Sequence, residues 1–90
     1  MEHSKKDINE LMNFYCNRKE PMLYEHRVVF CDGLENYINC IKVFTERKVL
    51  FGQIVYNAKN GKVSSYIYKG EVCYSELTVV DLLLEWINWS

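Results

Sequence analysis

Six side chains in this sequence of 90 residues are cysteines or histidines, which hold transition metals and serve as nucleophile and base: Cys16, Cys31, Cys40, Cys73, His3 and His26. A zinc site assembled from local pieces needs ligands paired two to four residues apart. The cysteines form no C-x-x-C, and the histidines do not fall at finger-like spacing. A thiol also becomes a nucleophile when an imidazole takes its proton, so His26 joined to a cysteine across strands is the catalytic arrangement left to consider. Only geometry can establish such a pair. The simpler expectation is that the thiols are structural and that His26 is an edge histidine in contact with water. Glu25 next to it points to the opposite face of an extended strand. There is no G-x-S-x-G, no H-E-x-x-H and no glycine loop to cradle a phosphate, and four glycines leave little material to wrap a cofactor. The residues therefore predict neither an enzyme nor a metal site, and no cofactor.

Charge and composition bound the class further. Eleven Lys+Arg against twelve Asp+Glu give a net charge of -1, which excludes a polybasic chain and a strongly acidic nucleic-acid mimic. At 49% hydrophobic and 26% charged the chain is too apolar for disorder. No apolar run approaches the roughly 20 residues of a membrane helix. The polar stretch from Met1 to Glu10 does not read as a signal peptide. The expectation is one cytoplasmic domain over residues 1–90, with reduced thiols and no disulfide.

The elements that must position these groups read as follows. Ser4-x-x-Asp7 resembles a capping box, and Ile8, Leu11, Met12 and Tyr15 form one apolar stripe of a helix, with Asn9, Asn13 and Asn17 facing away. Pro21 stops that helix near Arg18 or Lys19. Extended patterns follow from Leu23 to Cys31, from Tyr37 to Thr45 and from Val49 to Asn57. Turns are expected at Asp32-Gly33 and Glu46-Arg47-Lys48. Within the third pattern Leu50, Gly52, Ile54 and Tyr56 alternate with Phe51, Gln53 and Val55, and Gly52 suggests a bulge or a close approach. Asn60-Gly61 predicts a primed hairpin turn. The return strand Val63–Lys69 would set Val63, Ser65 and Ile67 opposite Ser64, Tyr66 and Tyr68. Glu71–Tyr74 forms a short continuation or a further strand. A last helix starts at Ser75 or Thr78 and is apolar over most of its circumference, apart from a stripe of Thr78, Asp81, Glu85 and Asn88. The expected fold is α+β: an N-terminal helix, an antiparallel meander of four strands, or five with Glu71–Tyr74, and a C-terminal helix, both helices on one sheet face.

Two surfaces could carry function. The segment from Arg47 to Lys69 holds five bases and no acid, interleaved with Phe51, Tyr56, Tyr66 and Tyr68, a pattern single-stranded nucleic acid can use. No base-reading motif accompanies it. From Gly70 onward there are four acids and no base, beside an apolar helix ending in Trp86 and Trp89. That helix needs cover on two sides, either from the rest of the chain, from a partner, or from a second copy in a homodimer through the same helix.

The leading helix ends in Phe14-Tyr15-Cys16 and the closing helix carries Leu84-Glu85-Trp86. In this layout the small, Tyr-rich chain resembles the immunity proteins of bacterial polymorphic-toxin and contact-dependent inhibition systems. The resemblance implies an antitoxin that binds and blocks a cognate toxin without chemistry of its own. Immunity proteins against nuclease toxins are often clearly acidic and this chain is not, so the toxin's activity stays open. Small phage inhibitors of host defence share the same profile. The expected partner contacts are the hairpin face (Tyr56, Lys59, Lys62, Tyr66, Tyr68) or the acidic side of the last helix (Glu76, Asp81, Glu85).

Overall fold

A computed structural model of the chain describes residues 5–17, 22–31 and 37–89. Helix α1 (Lys5–Cys16) buries Ile8, Met12 and Tyr15, the stripe its spacing predicts. Asn17 closes its last turn, its backbone N–H and its side-chain amide both donating to the Asn13 carbonyl at 3.2 and 2.8 Å. The expected cap at Ser4, the stop at Arg18 or Lys19 with Pro21, and the Asp32-Gly33 turn lie outside the described residues.

Five strands follow: β1 (Leu23–Cys31), β2 (Tyr37–Phe44), β3 (Leu50–Asn57), β4 (Val63–Tyr68) and β5 (Glu71–Cys73). They form one open sheet in chain order, every neighbour antiparallel. Glu71–Cys73 is thus a fifth strand. Helix α2 (Val79–Trp89) closes the described chain. Trp86 of α2 packs on Tyr15 of α1 and on Tyr66 and Tyr68 of β4, so both helices cover the same sheet face.

Three register shifts decide which residues reach that face. Val55 pairs with Ser65 but Tyr56 pairs with Val63, leaving Ser64 as an extra residue. A bulge of this kind inverts the alternation beyond it. Val63 therefore lies buried beside Tyr56 and on the same side as Tyr66 and Tyr68, not with Ser65 and Ile67 as simple alternation predicts. Between β2 and β3, Val43 pairs with Gly52 and Phe44 with Leu50, so Phe51 is the extra residue. Phe51 packs against the core and edge-on to Tyr68, while Leu50 is exposed. The third shift falls between Val28 and Phe30.

The turns also differ from expectation in type. Asn60-Gly61 sits in a hairpin, but only Gly61 has a positive φ (74°), whereas a primed two-residue turn needs one at its first central residue, and at both in type I′. The loop is instead held by asparagine side chains. Asn57 Oδ1 accepts from the Lys59 and Asn60 amides, and Asn60 Oδ1 accepts from the Lys62 amide. The primed geometry occurs at Lys69-Gly70 (φ 52° and 85°), between the paired residues Tyr68 and Glu71. Of the two expected caps, Thr78 starts α2, its Oγ1 accepting from the Asp81 amide, while Ser75 accepts from Leu77 in the preceding turn. The Val79 amide donates to the Gly61 carbonyl at 2.7 Å, fastening the start of α2 to the hairpin tip.

Candidate functional site

The register arranges side chains in rows across the sheet. On the helix-covered face, Tyr24, Val43, Gly52 and Tyr68 form one row and His26, Ile41, Ile54 and Tyr66 the next. On the other face, Glu25, Lys42, Gln53, Ile67 and Val72 form a row running from edge to edge, and Arg27, Cys40, Val55 and Ser65 run beside it. No described helix covers this second face. Charge is concentrated at its β1 end and apolar surface at its β5 end, where Val72 is 63% exposed and the following Tyr74 83%.

This placement corrects the expected hairpin contact surface. Tyr56 is buried, and Tyr66 and Tyr68 are half-buried against Trp86, so the three rings belong to the core face. They turn inward because α2 returns over β3 and β4 and supplies apolar surface that water does not. Lys59 and Lys62 are exposed at the hairpin end, separated from those rings. Nucleic-acid binding by stacking between cations therefore lacks its stacking platform on this hairpin. Asp81 and Glu85 are exposed along α2, and Glu76 is exposed in the connection before it rather than on the helix. Leu84 and Trp89 are exposed on α2 as well, so part of its apolar circumference is left uncovered, while Trp86 is fully buried.

His26 lies on the edge strand β1, as expected, but its ring turns to the helix-covered face and bonds side chains instead of water. Its Nδ1 lies 2.8 Å from Asn9 Oδ1 of α1, and its Nε2 hydrogen-bonds Tyr56 Oη, which accepts from Asn39 Nδ2 at 3.1 Å. Asn9 Oδ1 can only accept, so Nδ1 carries a hydrogen and donates to it, and in the neutral imidazole Nε2 then accepts from the Tyr56 hydroxyl. Asn9 thus faces the sheet instead of solvent, and its carbonyl also accepts from Tyr24 Oη at 3.4 Å. Asn39 Oδ1 is buried without a partner. Hydrophobic periodicity gives no sign of this network. Its only sequence signal is the presence of polar residues, Asn9, His26 and Asn39, on stretches that otherwise alternate toward the core.

The thiols are arranged differently from a nucleophile and its base. Cys40 lies on the uncovered face, paired with Arg27, while His26 occupies the other face. Cys31 pairs with Tyr37, so the ladder separates it from Cys40. Burial pushes the Cys16 thiol up to about 11 and raises Cys40, against the opposing pull of Lys42 and Arg27. A nucleophilic thiol needs a shift in the other direction. Burial also raises Tyr56, partly offset by its Asn39 hydrogen bond, and raises Tyr66, to which Cys73 adds. Among the described residues no three His, Cys, Asp or Glu converge on a metal-sized site, and no helix is long and apolar enough to cross a membrane. Comparisons with protein-family models, curated proteins and solved structures found no match for this chain.

Proposed function

We propose that this chain is a non-catalytic protein-binding inhibitor of the immunity type, neutralising a cognate toxin by covering it. The observation that carries this reading is the uncovered sheet face. Both helices pack on one side, and the other presents Val55, Ile67 and Val72 beside the charged group Glu25, Arg27 and Lys42. An exposed apolar patch bordered on one side by charged residues is suited to a protein contact. Lys59 and Lys62 at the hairpin end and Glu76 before α2 supply charges of both signs around the molecule, suited to orienting a partner rather than to attracting one highly charged polymer. A phage-type inhibitor of host defence is the same physical object with a different partner.

The test is capture from a native lysate followed by expression of the captured protein. That protein should impair growth when expressed alone and be relieved by co-expression of the wild-type chain. Val72→Lys, at an exposed position, should keep the fold and lose both capture and relief. A captured protein that is harmless alone overturns the toxin-inhibitor reading, and one that Val72→Lys still neutralises overturns the assignment to this face.

A further inference from the structure

Of the eight asparagines in the chain, Asn60 alone is followed by glycine. Glycine has no side chain to keep its amide nitrogen away from the preceding carboxamide. That nitrogen can therefore attack the asparagine side chain. Asn60 is exposed at the hairpin end, within reach of water. The fold restrains both reacting groups. The Gly61 N–H donates to the Asn57 carbonyl at 2.8 Å, which holds the proton on the nitrogen and fixes its direction. Asn60 Oδ1 accepts from the Lys62 amide at 2.8 Å, which fixes the carboxamide. The Asn57 amide donates to the Lys62 carbonyl at 2.9 Å and closes the loop around them. The loop is in turn tied to α2: the Val79 amide donates to the Gly61 carbonyl at 2.7 Å, and the Val63 amide to the Leu77 carbonyl at 3.0 Å. The reactive pair and the fastening of α2 thus belong to one hydrogen-bonded unit.

We infer that Asn60 is a self-modification site, restrained by the native hairpin end and reactive when that end opens, and that its conversion unfastens the start of α2. The steps balance with water as co-reactant. In the opened loop the Gly61 nitrogen gives its proton to hydroxide and attacks Asn60 Cγ. The N–Cγ bond forms, the Cγ–Nδ2 bond breaks, and Nδ2 leaves as ammonia with a proton from water, which regenerates the hydroxide. Water then opens the cyclic imide at one of its two carbonyls. Opening at Cγ leaves aspartate. Opening at the backbone carbonyl leaves isoaspartate, whose main chain runs through Cβ and Cγ. Nothing is oxidised or reduced. Either product places a carboxylate beside Lys59 and Lys62. Isoaspartate also adds one carbon to the backbone between Asn57 and Lys62. The bonds from Gly61 to Asn57 and from Val79 to Gly61 then lose their registry, and the start of α2 loses its tie to the sheet.

Incubation of the full chain at mildly alkaline pH, native and in guanidinium chloride, tests the site by peptide mass spectrometry and ammonia release. In the unfolded chain, conversion should fall first on Asn60. In the native chain it waits for local opening and should be slower by about tenfold or more. Ammonia separates it from isomerisation at Asp32-Gly33, which releases none. Val79→Pro deletes the amide that holds Gly61, and proline suits the first turn of a helix. The native rate should then rise about threefold or more. Guanidinium below the unfolding transition should raise the wild-type rate in the same direction without any substitution. Asn60→Ser keeps an oxygen to accept from the Lys62 amide and should release no ammonia at this position. The purified isoaspartate chain should melt below Asn60→Asp, which shares its charge but not its longer backbone. Equal rates in native and unfolded chains, first conversion at another asparagine, a native rate indifferent to both Val79→Pro and mild denaturant, or an isoaspartate chain as stable as Asn60→Asp overturns the inference. These outcomes do not depend on whether the captured partner is a toxin.

Discussion

Gly52 is the seat of Trp86. A Cβ placed on Gly52 would stand 3.0 Å from Cη2 and 3.2 Å from Cζ3 of the Trp86 ring, and 3.0 Å from the Ile67 carbonyl oxygen. The largest fully buried side chain in the described structure therefore enters the core at the one strand position without a side chain. Tyr15, Tyr66 and Tyr68 surround the same indole with ring centroids 5.1 to 6.1 Å away. This contact joins α2 to the middle of the sheet and leaves the opposite face open.

Gly52→Ala should destabilise the fold by about 1–3 kcal/mol, since neither a buried indole nor a strand carbonyl gives way easily. For a domain of this size each kcal/mol corresponds to a fall of about 4–8 °C in Tm. Trp86→Phe loses packing but no hydrogen bond, because Nε1 is buried without a partner. The smaller ring makes room for the added methyl, so the double variant should be more stable than the summed single costs predict. Strictly additive urea midpoints would contradict the contact.

Tyr56→Phe removes the oxygen shared by His26 Nε2 and Asn39 Nδ2. Leaving buried polar groups unpaired costs about 1–3 kcal/mol. Removing all three polar ends together, as His26→Leu, Asn39→Leu and Tyr56→Phe, should cost less than the sum of the single changes. Denaturant titration of the wild type, the three single variants and the triple variant gives the coupling, and a value near zero would show that the three groups do not act as one network.

Two turns hold lysine where glycine or asparagine is cheaper. Lys48 closes the β2–β3 turn with φ 65°, and Lys69 opens the primed β4–β5 turn with φ 52°. Left-handed backbone is costly for a residue with a Cβ and suits Gly or Asn. Lys48→Gly and Lys69→Asn should each raise stability by up to about 1 kcal/mol, the first reduced by the extra freedom of glycine in the unfolded chain. A lowered Tm in both would contradict these backbone assignments.

Alkaline pH should unfold the protein through its buried thiol and phenol. Cys16 ordinarily titrates near 9.0 and is pushed up to about 11 in the fold. Above pH 9.0 the unfolded chain gives up this proton while the folded chain keeps it, so the unfolded state binds fewer protons and stability falls as pH rises. The contribution is intact below pH 9.0 and lost by about pH 11. Tyr56, raised by burial, acts in the same direction at higher pH. Urea midpoints measured across this window should decline, and less steeply in Cys16→Ala. Parallel declines in the two proteins would remove Cys16 as a cause.

The sequence by itself determined the elements. A stripe at Ile8, Leu11, Met12 and Tyr15, a cap at Ser75 or Thr78 and an apolar Leu82–Leu83–Trp86 face are local patterns, set by the helix period and by orphan amides at helix starts. The strand limits were equally legible, and so was the antiparallel order, because short connections leave no room for a crossover. Only the tertiary structure decided which side of the sheet each ring occupies. Tyr56 alternates with Val55 in either case, but whether Val63 joins it depends on Ser64 being left unpaired, which is a property of two strands together. The same holds for His26, whose partners come from α1 and β3 and are brought together only by folding. Local periodicity specifies alternation within one strand, whereas register and the face that a helix covers are set by packing between residues distant in the chain.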